Sequence, residues 1–199
     1  NALARMGHAA RSARPQLIAA LDDSSGAVRA AAASALGTLG SSAHDAVPRL
    51  LALARDSNPS VRSAALGALG FIEERASIVL PTAIAATRDS SGDVRYTAVR
   101  VIQDYGAASG GAVPALIERL TDAEVAIQAV AIDALAGLGE RARSADTALA
   151  RVAIADTSVA IRSRARSARA SIGGEPREAP REPTAAERCR SEGRVSGWC

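Results

Sequence analysis

Two columns of side chains carry the charge chemistry of this sequence. Asp23, Asp56, Asp89, Asp122 and Asp156 recur at a period of 33 residues with one slip to 34, and six residues after each stands Arg29, Arg62, Arg95, Gln128 or Arg162. A carboxylate and a planar guanidinium at fixed spacing can form bidentate, charge-assisted hydrogen bonds. They lack the nucleophile, the poised base or the metal-ligand set that catalysis would need. A carboxylate at a helix N-terminus and a bidentate guanidinium suit a structural role, and Gln128 shows that one position of the Arg column tolerates a neutral donor. His8 and His44 are the remaining candidates for metal ligation. They lie 36 residues apart, out of register with the repeat, so no metal site is expected.

The elements that position these residues follow from the other columns. Five residues after each Asp comes Val28, Val61, Val94, Ile127 or Ile161, and eight before each Asp stand Pro15, Pro48, Pro81, Pro114 and then Ala148. After the Pro, apolar positions such as Leu17, Ile18 and Leu21 mark one helical face. Four turn-forming residues follow the Asp, and then a second helix begins. Its buried stripe is Val28, Ala32, Leu36, Leu39 in one copy and Ile127, Ala131, Leu135, Leu138 in another. Gly40, Gly106, Gly139 and Gly173 then occupy the place where a helix ends in a left-handed residue.

Composition agrees. The chain has 199 residues, 48 of them Ala, and only four Phe, Tyr and Trp together. Ala is the best helix former and a poor strand former, so an all-α fold is expected and an all-β sandwich is excluded. No apolar run approaches the roughly 20 residues of a membrane span. A soluble, cytoplasmic protein is expected, without a cofactor. All 24 basic residues are Arg, and the net charge of +3 is unevenly spread. Residues 1–20 carry three Arg and no acid, 21–140 nine Arg against fourteen acids, and 141–170 seven Arg against two. An acidic middle between basic ends is a poor footprint for tracking a phosphate backbone, and the aromatic side chains that stack single-stranded bases are missing. Cys189 and Cys199 both lie in the last eleven residues, so no disulfide framework holds the body.

The combined pattern, P-x-L-h-x-x-h-x-D-x-x-x-x-V-R-x-x-x-A-x-x-x-L, resembles the HEAT repeat, in the short form found in HEAT-like proteins of the bilin-lyase type. The resemblance implies a right-handed α-α superhelix, a HEAT-like solenoid of five helix pairs whose second helices line the concave face. It also implies a binding scaffold more than an enzyme, and a structural ladder in which the Asp column pairs with or caps groups near the Arg column, holding the turns and joining neighbouring repeats. Two catalytic relatives of the fold need parts that are missing here. Deoxyhypusine hydroxylases bind iron through His-Glu pairs, and the sequence has no such dipeptide; alkylpurine DNA glycosylases surround a base with aromatic residues, and Trp198 is the sole Trp.

The expected organisation is the end of a severed repeat over 1–7, an array over 8–174 with repeats near 8–40, 41–73, 74–106, 107–139 and 140–173, and a disordered Pro/Arg/Glu-rich tail over 175–199. The severed start, with Asn at position 1, suggests a fragment of a longer protein. In the fifth repeat Arg151, Arg164 and Arg169 are expected to replace buried apolar columns, making this unit a solvated C-terminal cap. The surface left for a protein partner is the ridge of the third repeat, Tyr96, Arg100 and Gln103, with Asp104 beside them and Asp133 in the next repeat. The competing surface is the basic patch Arg162, Arg164, Arg166 and Arg169, suited to an acidic partner or to weak nucleic-acid binding. A bilin-lyase-like subunit is the third alternative.

Overall fold

The computed structural model of the chain describes residues 13–73 and 75–173. They form five helix pairs and, among the described residues, no strand. The leading helices are α1 (Arg14–Ala20), α3 (Val47–Leu53), α5 (Ala76–Ala86), α7 (Val113–Arg119) and α9 (Asp146–Ala155). The second helices are α2 (Gly26–Thr38), α4 (Pro59–Ile72), α6 (Gly92–Asp104), α8 (Val125–Leu138) and α10 (Val159–Ser171). Each second helix packs on the next along the array, and each leading helix packs mainly on the second helix of its own pair. The result is an all-α superhelical solenoid.

The core is the set of columns that the repeat implies. Leu36, Leu69, Ile102 and Leu135 are fully enclosed between successive pairs. Burying a side chain of this size is worth about 1.5–3 kcal/mol, and the repeat multiplies the gain down the array. Small residues set the helix spacing: a Cβ on Gly37 would stand 3.1 Å from the Ala68 Cα, so α2 and α4 approach closely only because position 37 lacks one. Gly40, Gly106, Gly139 and Gly173 end their second helices at positive φ, 51° to 74°, a conformation that costs other residues about 1 kcal/mol or more. Glu73 stands where that column would place a fifth Gly, and there the chain turns through an extended residue instead (φ −105°, ψ 115°).

Three expectations about register need correction. First, Pro15, Pro48 and Pro114 fall in the first turn of their helices, but Pro81 lies inside α5. The extended Glu73 replaces the 3₁₀ connection that the second, fourth and fifth pairs use, and α5 starts early at Ala76. Second, the one-residue slip lies at the end of α9, not before it. The buried pattern of Val113, Leu116 and Leu120 continues in step to Asp146, Leu149 and Ala153, and α9 then runs on to Ala155 before Asp156. Thr147, not Ala148, is therefore the counterpart of Pro114, and Arg151 is the counterpart of exposed Glu118. Ala150, 6% exposed, fills the apolar place of Ile117. Arg151 replaces no buried residue.

Third, Arg169 is in the buried Leu column but is not solvated. It is 7% exposed, and its Nε donates to Asp146 Oδ1 at 2.7 Å. Asp146 occupies the place held by buried Val47 and Val113, so two facing apolar positions have become an ion pair. At the other end, Val28 is 40% exposed, whereas Val61, Val94, Ile127 and Ile161 in the same column are closed.

Candidate functional site

The Asp and Arg columns meet in a repeating network. Arg29, Arg62 and Arg95 each reach forward 27 residues, donating Nε to Oδ2 and Nη2 to Oδ1 of Asp56, Asp89 and Asp122 at 2.6–3.0 Å. Nη1 of each Arg, and of Arg162, donates to the carbonyl of the Asp six residues back and to the carbonyl after it. In all five turns the Asp Oδ1 accepts the backbone N–H two residues on. One guanidinium thus ties its own turn to the next repeat. The bonds from Arg29 and Arg62 hold the Asp56 and Asp89 carboxyls below the ordinary range. Burial works to raise Asp122, but Arg95 and the Glu124 N–H outweigh it, and this carboxyl too is held low.

The fourth rung is different. Gln128 Nε2 donates to the Asp122 carbonyl at 2.8 Å, reproducing the Nη1 contact, and stops there. Its Oε1 is buried and has no hydrogen-bond partner. Asp156 accepts the Ser158 N–H at 2.8 Å but, among the described residues, receives no guanidinium. A cavity of about 500 Å³ opens at this point, lined by Ile117, Leu120, Thr121, Gln128, Arg151, Val152 and Asp156 among others.

On the face formed by the second helices a larger cavity, about 620 Å³, crosses α2, α4 and α6. Its floor is small and weakly polar, with Ser34, Gly37, Ser63, Ala64 and Gly67, and Thr38 and Phe71 stand at one end. Phe71 is 73% exposed, although it is the only Phe of the chain. Tyr96 and Arg100 hold the register positions of Ser63 and Gly67, one repeat on. The columns that make the floor therefore turn into large side chains in the third repeat. Tyr96, Arg100 and Asp104 are exposed and Gln103 is half-buried. Asp133 is bonded to Arg164 on the neighbouring helix, which uses the charge of both. Phe71 is a site residue that the sequence columns did not single out, although a signal for it exists: it stands ten residues after Val61, in the same surface column as Thr38 and Asp104.

The basic patch is dispersed by its internal contacts. Arg162 is held by the carbonyls of Asp156 and Thr157, Arg164 by Asp133, and Arg169 is buried on Asp146. Arg166 is exposed and donates to the Ala153 carbonyl at 3.3 Å. His8 lies outside the described residues, as do Cys189 and Cys199. His44 has Nδ1 3.3 Å from the Glu73 carboxylate. Arg75 donates to both oxygens of that carboxylate and, despite its burial, holds its pKa down at about 2. The Tyr105 hydroxyl donates to the Glu73 carbonyl. This cluster braces the turn where the Gly is missing. No helix among the described residues is long and apolar enough to cross a membrane.

Comparison with known proteins agrees with this geometry. Residues 14–80 match the family described as HEAT repeats. No curated protein matches the sequence. An engineered protein is similar in structure, with TM-score 0.65, 19% identity and coverage of 80% of this chain and 78% of the other. A designed armadillo repeat protein in complex with the peptide (KR)4 has TM-score 0.62 and 19% identity, covering 78% and 80%. The complex of CpcE and CpcF of phycocyanin lyase from Nostoc sp. PCC7120 has TM-score 0.58 and 29% identity, covering 79% of this chain and 98% of that one. Residues 14–80 thus carry a match to HEAT repeats, and the stacked helix pairs of the described residues share the superhelical fold of these armadillo- and HEAT-like arrays.

Proposed function

We propose that the chain is a non-enzymatic scaffold that binds another protein on the concave, second-helix face of the solenoid. The observation that carries this reading is the 620 Å³ cavity with a 73%-exposed Phe71 at its end. A solvated aromatic ring gains free energy only when something covers it, and small residues on the floor let a partner backbone or helix come close. Tyr96 and Arg100, of types enriched at binding hot spots, flank the continuation of the same face. The Asp–Arg network fixes the spacing of the helices that present these groups. Two solved neighbours engage polypeptides: the designed armadillo array holds a peptide, and CpcE pairs with CpcF. The test is affinity for the cellular partner: Phe71→Ala and Tyr96→Ala should each weaken binding by about 1–3 kcal/mol with the fold intact, and unchanged affinity in both would end the proposal.

A second reading, a bilin-lyase-like subunit, is favoured by the coverage of 98% of the phycocyanin lyase chain at 29% identity. It requires tetrapyrrole chemistry. Adding a free bilin should then shift its absorption spectrum on binding, and a spectrum identical to that of the pigment in buffer would remove this reading.

A further inference from the structure

The broken fourth rung supplies a second site, away from the second-helix face and independent of the proposal above. In three rungs a guanidinium fills the space between a Gln128-like position and the Asp of the next turn, with two bonds to the carboxylate at 2.6–3.0 Å. At the fourth, Gln128 places its amide nitrogen where Nη1 would be and supplies nothing for Asp156. What remains, among the described residues, is a buried acceptor without a donor, Gln128 Oε1, and a carboxylate whose Oδ2 receives no bond. Gln128 and Asp156 both line one cavity of about 500 Å³; Gln128 Oε1 itself is closed off, so the carboxylate is the acceptor that the cavity offers. The unmet carboxylate asks for a positively charged group with more than one N–H donor, as in the three intact rungs. The apolar walls, Ile117, Leu120 and Val152, ask for a short aliphatic stem.

We propose that this cavity is a subsite for an arginine side chain of a bound protein partner, which completes the fourth rung in trans. Its stem lies against Leu120 and Val152, and its planar head pairs with Asp156. Arginine is preferred to lysine because the three intact rungs meet their carboxylate with a rigid fork, which a point charge cannot reproduce. Arg151 lines the same cavity and makes no hydrogen bond among the described residues. It disfavours an isolated cation and favours an arginine with an acidic neighbour. The partner segment is thus an Arg next to Asp or Glu.

The experiment is a titration of the full chain, isotopically labelled, with the capped peptide Gly-Arg-Glu and with its isosteric citrulline counterpart. NMR shifts are followed at the Gln128 side-chain amide and the Leu120 and Val152 methyls. Saturable shifts at these three residues are expected, with affinity roughly tenfold weaker for citrulline, which lacks the charge. Asp156→Asn should lose the response. Gln128→Arg, which fills the rung from inside and does not depend on the Asn variant folding, should lose it as well. Equal binding of the two peptides, or no shift up to the solubility limit, would overturn the proposal. So would a fall in Tm for Arg151→Ala as large as for a ladder arginine, because the cation would then be internal. Tighter binding of the peptide after Arg177→Gln and Arg181→Gln would show that the chain's own arginines occupy the site, and would overturn the assignment to a partner.

Discussion

Arg62 reaches from the start of one second helix to Asp89 in the following turn, with Nη2 2.6 Å from Oδ1 and Nε 2.8 Å from Oδ2. Both side chains are about one-seventh exposed (14% each), so the pair is shielded but not desolvated. Its third nitrogen, Nη1, binds the Asp56 carbonyl at 2.9 Å. The same guanidinium therefore fixes the turn within one repeat and the distance to the next.

Removing it should be expensive. Arg62→Ala leaves the Asp89 carboxylate with only the Ser91 N–H and two carbonyls without their donor, and a loss of about 2–4 kcal/mol is expected in chemical denaturation. Arg62→Lys should recover only part of this, because an ammonium cannot make the forked contact. A full rescue by Lys would mean that charge alone, without geometry, holds the rung.

Acid should loosen the array from identifiable groups. Glu73 has a folded pKa of about 2, below the ordinary 4.5. A group with a depressed folded value contributes stability that is complete above the unfolded pKa and is lost as pH falls through the folded one. The contribution of Glu73 should thus disappear between pH 4.5 and about 2. Asp56, Asp89 and Asp122 are depressed in the same direction and add to the same limb. Glu73→Gln should be less stable than the parent at neutral pH and should show a shallower dependence of Tm on pH across that window. Parallel curves for the two proteins would refute the assignment.

Much of the architecture is legible in the sequence because each column answers one physical need. Apolar residues recur where helices face each other, Gly recurs where φ must be positive, and Asp and Arg recur where a turn must be tied. What is hidden depends on where a single extra residue is absorbed. The sequence spacing is the same whether the slip falls before or after Leu149, so Arg151 could be set against Ile117 or Glu118. Only the length of α9 decides for the latter. Arg169 is hidden for another reason. An Arg in a Leu column looks like a cap until Asp146 is seen to have replaced a facing Val. At the binding face, Tyr96 and Arg100 can be found from their size among Ala, Ser and Gly. The cavity beside them is an absence of side chains, and it appears only when the helices are packed.

The Arg169 and Asp146 exchange can be reversed. The double variant Arg169→Leu, Asp146→Val restores the column of the other repeats and should be neutral or stabilising by up to about 1–4 kcal/mol, whereas Arg169→Leu alone leaves a carboxylate facing an apolar core. Thermal unfolding of the two variants checks this. A double variant less stable than either single one would show that the ion pair is the better solution at the end of the array.

Core and face can be distinguished with a pair of substitutions. Leu69→Ala should cost about 2–5 kcal/mol, since the side chain is fully buried between α4 and its neighbours. Ser34→Ala, on the exposed floor of the cavity, should change the denaturation midpoint little. Ser63 is not an equivalent control, because its hydroxyl is hydrogen-bonded to Thr97 at 2.8 Å. Equal midpoints for the Leu69 and Ser34 variants would mean that the helix faces are wrongly assigned.

The most direct measurement of the central claim, that the second-helix face binds a protein, is site-specific photo-crosslinking in the cell of origin. A photoreactive residue is placed singly at Gly67 on the cavity floor, at Arg100 on the ridge, at Ala52 on α3 and at Arg166 in the fifth repeat. The account predicts one discrete protein adduct from positions 67 and 100, none from 52 or 166, and loss of the adduct when Phe71 is changed to Ala. An adduct that forms only from 52 or 166, or one from 67 and 100 that is indifferent to Phe71 and Tyr96, would contradict it.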